Sequence, residues 1–351
     1  MKTQRKLIPY VSICTPTFNR RPFIPYLIKC IEQQTYPKDH MEWVIIDDGT
    51  DKVKDIFDAA IASKSPLLPT IKYYAQDKQM TLGKKRNLMH EKCTGSIIVY
   101  IDDDDYYPPE RVSHAVETLT NNPEALCAGS SEMHIYYDDI RMMYQCGPYA
   151  PTHATAATFA FRKELLNFTH YDNVKAVGEE RAFLKDYTVP FVQLETTKTI
   201  LVVAHIHNSV DKKMMITKPN AFVKPSMRCV DDFIQNQELK DFYTNNLNCV
   251  LANYPEGKPS HKPEMMKQIR TLEDNYDKMI QEEQKQMQLQ QQLQQPPLLN
   301  EQLQMIANIN ELRMVCANQD NMLKQKDTLI NVLMKQNKEL KDKLKSYETP
   351  K

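Results

Sequence analysis

The sequence predicts an α/β protein with a largely parallel central sheet flanked by helices, followed by a long helical C-terminal region. Three observations predict this fold class. Up to about residue 255, short β-branched and aromatic runs alternate with helical patterns, as in chains that build parallel sheets. Two of those runs end in consecutive aspartates. Beyond residue 298, apolar residues recur at the spacing of a coiled coil.

The predicted strands and helices follow one another in regular order. The first two strands are almost entirely apolar, which is typical of strands covered on both faces. The predicted strands are 10–15, 43–46, 71–74, 97–101 and 189–194. The predicted helices are 21–34, 52–63, 84–93 and 109–121. This order favours one sheet whose strands are joined by helical crossovers.

Composition excludes several classes of protein. The 351 residues include 45 Lys and Arg against 45 Asp and Glu, so no excess of positive charge is present to neutralise a nucleic-acid backbone. The chain has only 7 glycines and contains neither G-x-G-x-x-G nor G-x-x-x-x-G-K-[ST]. Any phosphate site must therefore be built without these glycine-rich loops.

The sequence offers no targeting or membrane signal. The N-terminus lacks the apolar stretch of a signal peptide, and the longest apolar runs are far shorter than the ~18–20 residues of a membrane span. None of the 8 cysteines stands in C-x-x-C spacing. We therefore expect a soluble protein without a membrane span in a reducing compartment, the cytoplasm.

Acidic residues follow two predicted strands directly. Strand 43–46 leads into Asp47 and Asp48, and strand 97–101 leads into four aspartates at 102–105. Because parallel strands end at the same edge of a sheet, both acidic groups should lie together, where ligands bind in such folds. Carboxylates of this kind suit Mg²⁺ or Mn²⁺. A solvated loop that caps the next helix is the alternative, and the buried strand before the acids argues against it.

Three further groups extend this interpretation. Lys84 and Arg86 open a predicted helix, where an anion is favourably bound, although a basic helical surface would look the same. His205 and His207 are two apart on an expected strand, so both would face one side and one could complete a metal shell. An acidic pair, 179–180, precedes a helical run, where the helix dipole alone would favour it.

Together these residues resemble family 2 glycosyltransferases of the GT-A fold. The resemblance covers roughly residues 8–215 and extends to the enzymes that large DNA viruses encode, which would place the protein in the host cytoplasm or virion. It rests on the segments VSICTPTFNR (11–20), EWVIIDDGT (42–50), GKKRNLMHEKCTGSIIVYIDDDDYYPPERV (83–112), GEERAFL (178–184) and HIHN (205–208).

The resemblance implies roles for individual residues. Asp102 and Asp104 would form the Asp-x-Asp pair that holds the metal, Asp104 directly, with Asp103 at the ribose. Glu180 would be the general base where the family more often has aspartate, with Glu179 as the other candidate. A later metal ligand would be His205 or His207. The residues implied for the nucleotide are Thr15, Pro16 and Phe18 around the base, Asp48 or Asp47 hydrogen-bonding it, and Lys84 and Arg86 nearby.

The expected domains are a catalytic domain over 1–220, a helical extension with a Pro-rich linker over 221–263, a Gln-rich helix over 264–297 and a coiled coil over 298–348. The polar residues Gln319 and Lys326 interrupt position d, so a solitary helix, a partly disordered tail or a larger bundle are alternatives to a dimer. The heptad assigns position a to Ile309, Cys316, Leu323, Ile330, Asn337 and Leu344, and position d to Met305, Leu312, Leu333, Leu340 and Tyr347.

The sequence-based hypothesis is a metal-dependent, inverting glycosyltransferase of the hexosyltransferase type. It would use a nucleotide-diphosphate sugar, most simply a UDP-sugar, a glycan or protein acceptor, and Mn²⁺ or Mg²⁺, and would form a homo-oligomer, preferably a dimer. Three rival hypotheses are a catalytically silent sugar-nucleotide-binding protein that recruits partners through its coiled coil, a nucleotidyltransferase, and a structural coiled-coil protein.

Overall fold

The computed structural model describes residues 8–217, 221–294 and 300–347. They form two compact units, one extending to Asp274 and one spanning Asn275–Lys351. The first unit contains two sheets and most of the helices. Within the described residues, no helix has the length and apolar character needed to cross a membrane.

The main sheet has seven strands in the order β3-β2-β1-β4-β8-β5-β9, and the smaller one has four in the order β10-β6-β7-β11. Their bounds are β1 Val11–Thr17, β2 Met41–Asp47, β3 Thr70–Ala75, β4 Ile97–Tyr100, β5 Cys127–Gly129, β6 Met133–Tyr137, β7 Met142–Cys146, β8 Ala160–Arg162, β9 Phe191–Gln193, β10 Val202–Ala204 and β11 Val223–Pro225.

The helices of the first unit connect and cover these strands. A π-helical turn, Phe242–Asn246, separates α7 from α8. The α-helices of the described residues are α1 Ile24–Glu32, α2 Lys54–Ala62, α3 Leu82–Lys92, α4 Arg111–Asn121, α5 Glu180–Phe183, α6 Met214–Thr217, α7 Gln237–Asp241, α8 Leu247–Ala252, α9 Pro263–Gln294 and α10 Asn300–Tyr347.

The main sheet is mixed in the direction of its strands. Strands β1 to β4 are parallel, whereas β8 runs antiparallel to both β4 and β5. The core strands β1, β2 and β4 are buried on both faces, and the fully buried Trp43 packs edge-on against Phe57 of α2 at 5.2 Å. This burial explains the near-continuous apolar sequence of the first strands. The carboxyl ends of β1, β2 and β4 meet at one edge of the sheet.

Two local expectations differ from the structure. His205 and His207 were expected on a strand, but β10 ends at Ala204 and both lie in the loop that follows. The stretch after Pro255, residues 256–265, was expected to form a linker, but it is part of the first unit, where the carbonyl of Gly257 accepts a hydrogen bond from Arg20. Pro255 and Pro259 begin two short 3-10 helices, Pro255–Gly257 and Pro259–His261, because proline suits the first position of a helical turn.

The second unit is helical. Helix α10 is continuous through the predicted heptads, and every heptad position whose side chain is described, from Met305 to Leu340, is exposed to solvent. Leu344 and Tyr347 fall outside the described side chains. Helix α10 therefore presents an apolar heptad face that the described residues leave exposed.

Candidate active site

The end of β2 holds two aspartates with different surroundings. Asp47 accepts hydrogen bonds from the backbone N–H groups of Gly49 (2.9 Å) and Val53 (3.0 Å) and from the hydroxyl of Tyr73 (2.5 Å). Asp48 accepts from the ammonium group of Lys85. Asp47 therefore fixes the turn after β2, and Asp48 is the aspartate that faces the charged groups of the site.

The acidic run after β4 meets a buried arginine. Arg20, which follows β1, lies 3.2 Å (Nη2) from Asp104 Oδ2 and 3.7 Å (Nε) from Asp103 Oδ1. His205 Nε2 lies 3.4 Å from the same oxygen of Asp104. The loops after β1, β4 and β10 thus converge on one carboxylate.

These contacts shift the pKa values of the aspartates in different directions. Burial and the charge of the neighbouring Asp104 together raise the pKa of Asp103 to about 7. Burial also acts on Asp104, but the hydrogen bond with His205 and the charge of Arg20 hold its pKa well below the usual value. Burial raises the pKa of Asp102 despite the charge of Arg86. Among these three aspartates, Asp104 is therefore the one whose ionised form the surroundings favour.

Arg86 joins the acidic run to the acidic pair at the start of α5. Its Nη1 lies 3.1 Å from Glu179 Oε1 and its Nη2 lies 3.9 Å from Asp102 Oδ2. Burial raises the pKa of Glu179, which Arg86 opposes. Glu180, the first residue of α5, is half-buried and pairs with no side chain in the described part of the chain. The pair thus divides into an anchored glutamate and an unpaired one.

Several polar atoms near the edge have no hydrogen-bond partner among the described residues. They are buried oxygens or nitrogens, which ordinarily find partners. The set comprises Asp102 Oδ1, Asp103 Oδ2 and both ring nitrogens of His207. No three His, Cys, Asp or Glu side chains of the described residues are gathered closely enough to hold a metal ion.

The two histidines have different neighbours. Burial lowers the pKa of each to about 4, so both are neutral at pH 7. His205 faces Asp104, whereas His207 lies among the cations Arg20, Lys258 and Lys262, which lower its pKa further. A cation would thus meet an opposite charge beside His205 and like charges beside His207.

A cavity of about 300 Å³ opens beside the acidic edge. Its lining includes Phe18, Asp48, Lys85 and Lys262. The lysine ammonium groups stand 5.9 Å (Lys85) and 5.3 Å (Lys262) from the centre of the Phe18 ring. An aromatic face, a carboxylate and two cations therefore surround one space.

Only Phe18 and Asp48 of the residues predicted to contact the nucleotide line this cavity. The six that do not are Thr15, Pro16, Asp47, Lys84, Arg86 and Asp103. Thr15 is fully buried, donates to the carbonyl of Ile101 at 2.6 Å and accepts from Trp43 Nε1 at 2.8 Å. Its hydroxyl therefore ties β1 to its neighbours inside the sheet.

The basic residues that line the cavity, Lys85 and Lys262, are not the two predicted for the nucleotide, Lys84 and Arg86. Lys84 is exposed and lines a separate open groove, whereas Lys85, one position further along α3, lines the cavity. Arg20 belongs to the segment 11–20 that carries the family resemblance, and its position after β1 could have identified it as a candidate site residue. No sequence pattern singled out Lys262 as a site residue, because only the fold brings it to the ends of β1 and β2.

The fold and the site define an α/β domain with an acidic edge at the carboxyl ends of its parallel strands. Residues 12–179 match the family described as glycosyl transferase family 2. This segment, a little under half of the chain, supports the family 2 glycosyltransferase of the GT-A fold that the sequence predicted.

Similar proteins share this segment. The chain is 25% identical over 126 residues to the glycosyltransferase AglE of Haloferax volcanii, covering 36% of this chain and 40% of the relative. It is 32% identical over 115 residues to the undecaprenyl-phosphate 4-deoxy-4-formamido-L-arabinose transferase of Pseudomonas syringae, covering 31% and 32%. The match thus spans well under half of each relative.

Among solved structures, the mannosyltransferase PcManGT of Pyrobaculum calidifontis in complex with GDP-Man and Mn²⁺ is similar, with a TM-score of 0.46 and 18% identity. The similarity covers 57% of this chain and 58% of that one.

Proposed function

We propose that this protein is a metal-dependent, inverting glycosyltransferase that moves a sugar from a nucleotide-diphosphate donor to an acceptor hydroxyl on a glycan or protein. The observation that carries the proposal is the bridge made by Arg86, which holds Glu179 at 3.1 Å and Asp102 at 3.9 Å. It places an acidic pair suited to base catalysis beside an acidic run suited to a cation, next to a cavity lined with lysines.

The donor would bind with its base in the cavity. Phe18 offers an aromatic face for stacking, and the Asp48 carboxylate can accept a hydrogen bond from a ring N–H such as that of uracil. A UDP-sugar is therefore the first donor to test. Asp103, with a carboxyl pKa of about 7, would contact the ribose hydroxyls.

The chemistry of the side chains at the edge suits a divalent cation. Asp102 has a buried oxygen without a partner among the described residues, and Asp104 lies beside His205, so the edge offers carboxylate and imidazole donors. Because no three such side chains of the described residues are gathered around one point, a bound cation would have to draw its ligands together. We assign Asp104, His205 and Asp102 to the metal and leave out His207 because cations surround it. When bound, the metal would supply Lewis-acid stabilisation of negative charge on the diphosphate.

Glu180 would act as the general base. It accepts the proton of the acceptor hydroxyl as that oxygen attacks the anomeric carbon from the face opposite the diphosphate. The bond between the anomeric carbon and the diphosphate oxygen breaks, and the diphosphate leaves with the electron pair. Glu180 suits this role because it is half-buried and unpaired within the described chain, whereas Glu179 is held by Arg86.

The test is a panel of nucleotide sugars assayed for hydrolysis and transfer with and without Mn²⁺ or Mg²⁺. The proposal expects metal-dependent release of nucleoside diphosphate from at least one donor, with UDP-sugars foremost. Binding of nucleotide sugars without any turnover would favour the silent binding protein, and no binding of any donor would refute both.

We also propose that α10 joins two copies of the chain in a parallel coiled coil. Ile at position a with Leu at position d favours two strands, and one Asn at position a fixes their register. Ile330, Leu333 and Asn337 occupy these positions consecutively on the exposed face of α10.

A further inference from the structure

The segment 254–268 lies outside the family match at 12–179, yet it is tied to the loop after β1 at several points. Asn19 Nδ2 donates to the carbonyl of Glu256 (2.8 Å), and Arg20 Nη1 donates to the carbonyl of Gly257 (3.1 Å). The hydroxyl of Tyr254 donates to Asp51 (2.7 Å). The first part of the segment is therefore fixed on residues that flank the site.

The other end of the segment is fixed as well. Gln79 Nε2 donates to the carbonyl of His261 (3.2 Å), and the Gln268 side chain exchanges hydrogen bonds with the backbone of Val174 (2.8 Å) and Ala176 (2.9 Å). Gly257 permits the close approach, because a Cβ there would stand 2.5 Å from His207 Nδ1. These contacts position Lys262 between the two attachment points.

Lys262 is the cation at the cavity that lacks a partner. Lys85 forms an ion pair with Asp48, and Arg20 pairs with Asp104, whereas the Lys262 ammonium makes no hydrogen bond or ion pair with any described residue. It carries this charge among like charges, and burial with Arg20 and Lys85 nearby lowers its pKa to about 7. An anion bound in the cavity would offset the repulsion between the Lys262 ammonium and the neighbouring cations.

The position of Lys262 indicates that this anion is the diphosphate of the nucleotide sugar. Its ammonium lies near the Phe18 ring on one side and interacts electrostatically with Asp103 and Asp104 on the other. In a nucleotide sugar the diphosphate lies between the nucleoside and the sugar. With the base at Phe18 and the metal at Asp104, the diphosphate must cross the space that Lys262 faces.

We infer that Lys262 binds the donor diphosphate, so that the 254–268 segment completes a donor site which the family 2 domain alone leaves open. This inference rests on the proposed function. Lysine acts here as a point charge toward phosphate, and it leaves recognition of the base to Phe18 and Asp48.

The test compares the binding of UDP and uridine to the full chain by calorimetry in the presence of Mn²⁺. Because hydrogen bonds to charged groups contribute about 1.5–3 kcal/mol, Lys262→Met should weaken UDP binding about 10- to 100-fold and leave uridine binding unchanged. Lys262→Arg should retain most of the affinity for UDP. Lys267→Met, which removes an exposed lysine five residues further along the chain in α9, is the matched control.

Each outcome decides the inference. Equal UDP affinity in wild type and Lys262→Met, or equal losses for UDP and uridine, would overturn the role of Lys262 while leaving the proposed function standing. If the wild type binds none of UDP, GDP, CDP and ADP, the proposed function fails and the inference fails with it.

Discussion

Arg86 and Glu179 form an ion pair inside the protein, with 3.1 Å between Nη1 and Oε1 and side chains that are only 3% and 5% exposed. The pair joins α3 to the residue that precedes α5. Because Arg86 also stands against the rings of Tyr100 (4.7 Å) and Tyr171 (5.4 Å), it links the acidic edge to the aromatic core.

Removing the arginine of this pair should destabilise the protein. Arg86→Met would leave Glu179 buried without its counter-charge, which typically costs about 3–5 kcal/mol in the free energy of unfolding. Urea denaturation at pH 7 measures the loss. Arg181→Met is the control, since Arg181 pairs with Asp186 on the surface, where about 1 kcal/mol at most is expected. If the two variants lost the same free energy of unfolding, the buried pair of Arg86 and Glu179 would not stabilise the fold more than a surface pair does.

The two glutamates of the acidic pair should respond differently to removal of charge. Glu180→Gln should keep donor binding and stability but lower kcat by about 10²–10⁴-fold, because a positioned base supplies that factor. Glu179→Gln should instead lower stability, because it weakens the pair with Arg86. Single-turnover kinetics and calorimetric titration with UDP separate the effects. If Glu180→Gln lost donor binding, Glu180 would have a structural role and not that of a general base.

Asp104→Asn should abolish turnover and make UDP binding independent of Mn²⁺. The reason is that Asp104 is the ionised member of the run, held by Arg20 and His205. Titrations of UDP with and without Mn²⁺ give the measurement. Asp58→Asn, a change at an exposed aspartate of α2, should alter neither quantity. Full activity of Asp104→Asn in the presence of metal would show that the site is misplaced.

A charge on the heptad face of α10 should dissociate the proposed dimer. Ile330→Asp places a carboxylate at position a, where it would be buried between two helices. Val332→Asp is the matched control, because Val332 is similarly exposed on the same helix but lies off the heptad face. Light scattering should show half the wild-type mass for the first variant only. An unchanged mass in both would rule out this coiled coil.

His90 should make stability fall in acid. It is 7% exposed, its Nε2 lies 2.6 Å from the Tyr100 hydroxyl, and burial followed by the charge of Arg86 lowers its pKa to about 3. The unfolded chain, with a histidine pKa near ~6.5, binds the proton more readily. This contribution is therefore complete above pH 6.5 and is lost as pH falls toward 3.

The measurement compares unfolding of wild type and His90→Gln at several pH values. Between about pH 6 and 4 the wild type should lose about 1.4 kcal/mol more per pH unit than the variant, since other titrating groups cancel in the difference. Parallel curves for the two proteins would contradict the assignment.

Much of the fold could be predicted because its signals are local. The apolar runs of β1, β2 and β4 and the aspartates at their ends identify a sheet edge without reference to the rest of the chain. Strand and helix ends shifted by up to three residues. The antiparallel β8 was missed because Ala160–Arg162 is too short to show a pattern.

The site was less predictable because its charges are paired through space. Sequence reasoning selected Lys84 and could not see that α3 turns Lys85 inward, since residues one apart on a helix point about 100° apart. The prolines after residue 254 suggested a linker, yet Pro255 and Pro259 begin short helical turns within the first unit.

By itself the sequence determined the α/β class, the acidic sheet edge, the family and the heptads of α10, because each depends on neighbours within one strand, turn or helix. Only the tertiary structure decided which aspartate stays charged, which glutamate is anchored, and that Lys262 reaches the cavity. Those properties depend on burial and on charges brought together from distant parts of the chain. The spacing of residues along the sequence predicts neither of them.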